Sequence, residues 1–352
     1  MKVLFDTRKD ENPVLSVIIP YKNASPTILV CLDSLARQEP GFPFEVIFAD
    51  GCSDDDSVEL IRGHPLVQQP GVSVLVITLP LEKSGQMPAT NAAVKLARAD
   101  LLLLMQADVK VTDPQALTKL VRHFDDPQAI GTLFTMLGAG EDFRKYNFWG
   151  QVFNARYEGH RVENHFDTKF NALRKSVFER IGGYDEVNQA LAGGDTDLYM
   201  RLLKEGKFAP TDIEGWHQHG LGQEFTFGGC IKKYCRNAEA AGVAVHFNLR
   251  QPSLGLFVGI AQQLVICFSC LLSIVPWTWP WSSLAVFLLG VYWQKDSYRF
   301  CRGWRVVYLP FFGVIGLYVF TWYYLSGLIL KKTRFQFSNR MGRSPAASEV
   351  RS

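Results

Sequence analysis

Two aspartates close apolar runs in which a carboxylate stands out. Leu101-Leu-Leu-Leu-Met-Gln-Ala-Asp-Val-Lys110 leads to Asp108, and Phe44-Glu-Val-Ile-Phe-Ala-Asp50 ends on Asp50. Asp favours turns, so Asp108 has a structural reading. It also has a chemical one, as a hard oxygen ligand for a divalent cation at the carboxyl edge of an α/β sheet, where ligands bind. Asp50, in "VIFADGCSDDDS", is placed to accept hydrogen bonds from a nucleobase or a ribose hydroxyl. Asp55 stands just before a helical segment and reads as a cap. In "GWHQHG", His217 and His219 are two residues apart, and in an extended segment such residues point the same way. Both could face one metal, although an exposed loop pair fits equally and HxH alone is a poor zinc signature.

The elements that must hold these residues follow from periodicity. Val14-Leu-Ser-Val-Ile-Ile19, Phe44–Ala49, Val72–Leu79 and Leu101–Met105 are continuous apolar runs, the pattern of buried parallel strands. Between them, Leu29, Leu32, Leu35 and Ala36 fall on one helical face, Ser57–Arg62 forms a short helix, and Ala89–Arg98 is helical. Strand and helix alternating in this way predict an α/β fold with a parallel sheet covered on both faces. Neither GxGxxG nor GxxxxGK[ST] follows the first strand, which argues against a dinucleotide-binding Rossmann domain and a P-loop NTPase.

A net charge of +3 over 352 residues gives no reason to expect nucleic acid as a partner. The chain divides by composition into a mixed segment, 1–250, an apolar segment, 251–332, and a basic polar tail, 333–352. Leu254–Val275 is uncharged over 22 residues and Val306–Leu330 over 25, each enough to cross a ~30 Å hydrocarbon core as a helix. Trp277–Trp293 is apolar but shorter, with Pro276 and Pro280 at its start. Two or three transmembrane helices are therefore expected. Trp277, Trp279, Trp281, Trp293, Trp322, Tyr323 and Tyr324 suit the membrane interface. Lys295, Arg299, Arg302 and Arg305, and the basic tail from Lys331, predict cytoplasmic loops by the positive-inside rule, and so a multi-pass protein of the cell membrane with its catalytic domain in the cytoplasm. Met1–Pro13 is polar and lacks the apolar region of a signal peptide. The seven cysteines are scattered, as reduced thiols would be. Lys232, Lys233 and Arg236 form either a solvated face or a contact for lipid phosphates.

"SVIIPYKNA" (16–24), "EVIFADGCSDDDS" (45–57), "GQMPATNAAVKLARAD" (85–100) and "LLLLMQADV" (101–109) together resemble the nucleotide-binding half of inverting family 2 glycosyltransferases with the GT-A fold. "FNALRKSVFERIGGYDE" (170–186) and "GGDTDLYMRL" (193–202) resemble the acceptor half of that family. The resemblance implies a GT-A domain followed by C-terminal transmembrane helices. It implies that Pro20, Tyr21, Asn23 and Asp50 line the base and ribose site. Lys83, Gly85 and Asn91 would border the donor phosphates. Asp108 would be the last aspartate of the DxD motif, gripping Mn²⁺ or Mg²⁺ against the diphosphate, with His217 completing the cation site and His219 as the alternative. Asp195 would be the general base. Two positions depart from the family pattern: Gln106 stands where DxD has its first aspartate, and Gly194 where the family carries Glu before its base. Asp197 is an alternative base, though a position at a helix N-terminus suits it as a dipole partner.

The function so implied is inverting, metal-dependent transfer of a sugar from a nucleotide-diphosphate donor to a lipid-linked or polysaccharide acceptor at a membrane. Processive synthases of the cellulose or hyaluronan type resemble a longer chain with preceding spans and a QxxRW motif. Neither feature is found in this sequence, which favours addition of a single sugar. Gln106 and Gly194 keep open a third reading, a membrane scaffold that retains the fold without the chemistry.

Overall fold

The computed structural model describes residues 1–9, 12–186, 194–218, 220, 225–248, 254–275 and 279–330. The chain begins β1 (Lys2–Asp6), β2 (Leu15–Tyr21), α1 (Ile28–Ala36), β3 (Phe44–Asp50), α2 (Ser57–Gly63), β4 (Val72–Thr78), α3 (Gln86–Val94), β5 (Leu101–Met105). It continues with β6 (Val109–Val111), α4 (Ala116–Arg122), β7 (Ala129–Leu137), α5 (Phe148–Asn154), β8 (Arg161–His165), β9 (Phe170–Arg174), α6 (Lys175–Arg180), α7 (Gly194–Leu202) and β10 (Lys207–His217). Five helices follow: α8 (Phe227–Asn248), α9 (Leu254–Leu272), α10 (Trp279–Trp293), α11 (Lys295–Phe300) and α12 (Leu309–Leu330).

The sheet has the order β1-β4-β3-β2-β5-β9-β7-β10-β6, with β8 on β7. β4, β3, β2 and β5 run parallel, and β1 and β9 pair antiparallel on either side of them. The four apolar runs are these parallel strands, and every residue of β3 is buried. A strand covered on both faces has no use for alternation, which is why the runs are continuous. Ile18 pairs with Ile47 on one side and Leu104 on the other, so the carboxyl ends of β3, β2 and β5 line one edge. In α1 the packed face is Ile28, Cys31, Leu32 and Leu35; Leu29, expected on it, is exposed.

By its internal contacts the chain forms two compact units. The first comprises Met1–Thr135 and Glu163–Gly215, and its core includes Ile47, Leu75, Ala89, Leu102, Phe178 and Leu198. The second comprises Met136–Val162 and Trp216–Arg334, with an aromatic core that includes Phe143, Phe153, Phe225, Tyr234 and Phe312. In this unit α8 and α12 meet backbone to backbone. A Cβ on Gly242 would lie 2.1 Å from the Tyr324 carbonyl oxygen, and one on Gly327 would lie 2.1 Å from that of Glu239. All seven cysteines are free, and Cys52 is the exposed one.

The expectation of several spans, and of a multi-pass protein, is not supported by the described residues. Among the described residues one helix, Trp304–Leu330, is long and apolar enough to cross a bilayer. The Gln263–Leu272 stretch of α9 and Pro280–Trp293 of α10 are apolar over a shorter length. Hydropathy counted Ser273–Val275, which form a turn, as part of a span, and Pro280 stands at the start of α10 rather than inside a longer helix. The basic tail from Lys331 lies outside the described residues.

Candidate active site

At the edge formed by β2 and β3, Tyr21 pairs with Asp50 in register. Asp50 is buried and largely committed: Oδ1 accepts from the Ser53 amide (2.9 Å) and hydroxyl (2.6 Å), and Oδ2 accepts from Thr78 Oγ1 (2.8 Å). A carboxylate accepts about four hydrogen bonds, so room for one more remains. Beside it the Tyr21 hydroxyl is buried and has no hydrogen-bond partner among the described residues. Burial, with the nearby carboxylates of Asp50, Asp55 and Glu59, drives its pKa well up, so the phenol stays a proton donor. A buried donor without an acceptor is costly and asks for a ligand atom or a water.

The neighbouring loops are tied together. Asn23, at φ +50°, exchanges hydrogen bonds with Asp54 (2.6 and 3.0 Å), and its backbone amide donates to Ser53 Oγ (2.9 Å). Asp55 accepts from Ser57 and from the Ser25 amide, so it joins two loops, and Asp56 takes the cap position of α2. Lys83 is exposed in the turn before α3, and Gly85 stands at that helix's N-terminus. Lys22, which sequence reasoning passed over, donates to Ser84 Oγ (3.0 Å), and Ser84 donates to the Gly51 carbonyl (2.5 Å). This brings a second ammonium to the same edge. Pro20 is half-buried within β2.

Asp108 sits in the turn between β5 and β6, with Gln106 just ahead of it. β9 runs antiparallel to β5, Met105 opposite Phe170, and the Gln106 amide donates to the Lys169 carbonyl (3.2 Å). The β8–β9 turn is thereby fixed beside Asp108. In that turn Lys169 forms an ion pair with Asp167. Burial works to lower the Lys169 pKa, but Asp167 in contact, with Asp195 and Asp108 beyond, raises it above the usual lysine range. The charges of both Asp108 and Asp195 therefore act on the one Lys169 ammonium.

Asp195 opens α7, and its Oδ1 accepts from Thr168 Oγ1 (2.7 Å) and from the Tyr184 hydroxyl (2.7 Å). Burial raises its pKa; the hydrogen bonds from Tyr184 and Thr168 and the charge of Lys169 oppose that rise without cancelling it. A carboxylate made more basic than usual is suited to accept a proton. Asp197 is held by Arg201 through Nε (2.9 Å) and Nη2 (2.7 Å), a two-point ion pair within the helix. Asn91, expected at the donor phosphates, has its amide engaged elsewhere. Oδ1 accepts from the Tyr184 amide (2.9 Å), and Nδ2 donates to the Tyr184 carbonyl (2.9 Å) and Glu186 (2.8 Å). Its part is to hold the Tyr184 segment. Gly194 packs on α3, since a Cβ there would lie 2.4 Å from Met87 Cε. The family's glutamate has no room at this position unless Met87 moves.

Among the described residues, no three His, Cys, Asp or Glu side chains converge as a metal cluster. His217 ends β10 at the start of the second unit, and His219 lies outside the described residues. What the first unit offers a cation is the hard carboxylate of Asp108 with the amide oxygen of Gln106 nearby. That donor set fits a divalent ion held mainly by phosphate oxygens and water.

Residues 16–182 match the family model for glycosyl transferase family 2. That similarity runs from β2 through α6. An O-antigen biosynthesis protein of Myxococcus xanthus is 30% identical over 213 residues, 55% of this chain and 16% of that protein. A PGL/p-HBAD biosynthesis glycosyltransferase of Mycobacterium bovis is 25% identical over 197 residues, 56% of this chain and 68% of that one. The chain thus spans only a small part of the first of these relatives. A mannosyltransferase of Pyrobaculum calidifontis, solved in complex with GDP-Man and Mn²⁺, superposes on this chain with a TM-score of 0.54 at 17% identity. The superposition covers 92% of this chain and 89% of that one, a likeness of fold.

Proposed function

We propose that this chain transfers a sugar from a nucleotide-diphosphate donor to an acceptor hydroxyl, with inversion at the anomeric carbon. The observation that carries the reading is Asp195, a carboxylate held at Oδ1 by Thr168 and Tyr184 and raised in pKa, whose charge acts with that of Asp108 on Lys169. The donor's base and ribose would meet the Tyr21 hydroxyl and the remaining acceptor position of Asp50. Its phosphates would meet Lys22 and Lys83. Asp195 takes the acceptor's proton as the acceptor oxygen bonds to the anomeric carbon. The bond to the diphosphate breaks on the opposite side, and its electron pair leaves with the nucleotide. Asp108 would hold Mn²⁺ or Mg²⁺, which when bound would supply positive charge to the diphosphate. Lys169 contributes a fixed positive charge to the same cleft, and it orders Asp167 beside the base.

The relatives named for O-antigen and PGL/p-HBAD biosynthesis support an acceptor from surface-glycan or glycolipid assembly. The second unit supports membrane attachment. Phe268, Leu271, Trp281, Phe311, Trp322 and Ile329 are exposed on α9, α10 and α12, and exposed apolar residues gathered on neighbouring helices suit a membrane surface. We place α12 in one leaflet rather than across both. It packs along α8, Phe312 against Tyr234 and Gly327 against Glu239, and α8 carries Arg236 and Glu239 in that stretch. A spanning α12 would carry those charges to hydrocarbon depth, at about 2.5–3.5 kcal/mol each on insertion scales. Exposed Lys295, Arg299, Arg302 and Arg305 with Trp304 and Tyr308 suit a headgroup layer. A lipid-linked acceptor is then presented in the plane where the chain sits.

Release of nucleoside diphosphate from UDP-, GDP- and dTDP-sugars, with Mn²⁺ and with chelator, tests the reading. Wild type should turn over at least one donor, and Asp195→Asn should not. Equal inertness of both across the panel would favour a scaffold without chemistry.

A further inference from the structure

Asp195 is held unequally at its two oxygens. Oδ1 accepts two hydroxyls, from Thr168 and Tyr184, at 2.7 Å each, and among the described residues Oδ2 accepts no hydrogen bond. We propose that the Tyr184 and Thr168 hydroxyls are positioning groups that saturate Oδ1 and so offer Oδ2 alone to the acceptor; this rests on reading Asp195 as the general base. The proton moves from the acceptor hydroxyl to Oδ2 while the acceptor oxygen bonds to the anomeric carbon and the diphosphate departs with the electron pair of the broken bond. A carboxylate free to turn would present four lone-pair directions, and only one is in line with attack.

Both hydroxyls are set firmly. The Tyr184 ring is buried edge-to-face on Phe178 at 6.2 Å, and its backbone amide and carbonyl are both held by Asn91. Arg201, on the same helix as the base, donates to the carbonyls of Ile181 (3.0 Å) and Gly183 (2.7 Å). The segment carrying Tyr184 is therefore tied to α7 at two places. Thr168 is buried at φ +57°, a conformation rare for a β-branched residue. Gln86 Nε2 donates to its hydroxyl (3.4 Å) while that hydroxyl donates to Asp195. Strain of this kind persists where surrounding contacts enforce it, and it concentrates at functional sites.

Removing a hydroxyl should also change the base's acidity. The charged groups facing Asp195 are Lys169 and Asp167 from the β8–β9 turn, with Asp108 beyond Lys169; on its own helix, Asp197 is paired to Arg201. None of these is altered by Tyr184→Phe, which keeps the ring on Phe178. A hydrogen bond to a charged acceptor favours the ionised form, so its loss should raise the Asp195 pKa by about one unit.

The test is an infrared titration of the protonated carboxyl band in the full-length protein without donor, with Asp195→Asn subtracted to isolate the band. Tyr184→Phe and Thr168→Val should each move the midpoint upward by about one unit. Thr168→Ser should restore it, and thermal melts should confirm that each variant is folded. A midpoint unmoved in folded Tyr184→Phe would overturn the proposal while leaving the transferase reading intact. If the midpoint moves but wild type and Asp195→Asn are equally inert across the donor panel, the base role falls, and the positioning role with it.

Discussion

Two adjacent glycines after α6 should respond very differently to the same substitution. Gly182 and Gly183 both have positive φ, +80° and +67°. A Cβ on Gly182 would meet nothing within 4 Å, whereas one on Gly183 would lie 2.6 Å from Asn91 Oδ1 and 2.8 Å from Phe178 Cε1. Gly182→Ala should therefore cost only the left-handed backbone penalty, about 1–2 kcal/mol. Gly183→Ala carries that penalty as well. It also pushes on the amide that holds Tyr184, whose two hydrogen bonds contribute about 1 kcal/mol each. Overpacking against the Phe178 ring adds about 1 kcal/mol or more. The two variants should then differ by about 3 kcal/mol, which is about 6–12 °C in Tm for a domain of this size. Thermal melts of wild type and both variants in the same detergent read this directly. Equal losses at the two positions would refute the claim that Gly183 is required by close packing on Asn91 and Phe178.

Asp55 gives a pH dependence. Burial would raise its pKa, but hydrogen bonds from Ser57 and Ser25 bring it below the ordinary value. A lowered folded pKa contributes stability that is present above the unfolded pKa and lost as pH falls through the folded one. Asp55→Asn should thus be less stable than wild type at neutral pH, and the gap in Tm should close below about pH 4. A gap constant down to pH 3 would mean that the charge of Asp55 is immaterial. Membrane attachment is read by two protease-sensitive tags, one beside Gly303 and one after Leu330. With α12 in one leaflet, both tags should be cleaved from the same face of sealed vesicles; cleavage from opposite faces would mean that it spans.

The parallel half of the sheet was legible because β2, β3, β4 and β5 are buried on both faces, and the strand ends that carry Asp50 and Asp108 came with them. β6 to β10 were not read. β8 is mostly exposed and β10 mixes exposed with buried positions, so neither gives a continuous apolar run. The packed face of α1 was misplaced at Leu29 because Ile28 and Cys31 satisfy the same helical spacing from the other side. In the site, Asp195 was recognisable from its motif, but Tyr184 and Thr168 were not. They stand 11 and 27 residues away and reach the base through turns at unusual backbone angles, for which local pattern has no signal. "GGYDE" did contain Tyr184, and its hydroxyl was the available clue. Hydropathy found α12 but took no account of α8, whose charges lie alongside it.

The most direct measurement separates donor binding from turnover at the two carboxylates. A nucleotide sugar that binds the folded protein raises its Tm. For whichever UDP-, GDP- or dTDP-sugar stabilises wild type in the presence of Mn²⁺, Asp108→Asn should lose the thermal shift. Asp195→Asn should keep the shift and release no nucleoside diphosphate. An Asp195→Asn protein that turns the donor over at the wild-type rate, or an Asp108→Asn protein that binds it undiminished, would contradict a shared cleft in which one aspartate serves the leaving group and the other takes the acceptor's proton.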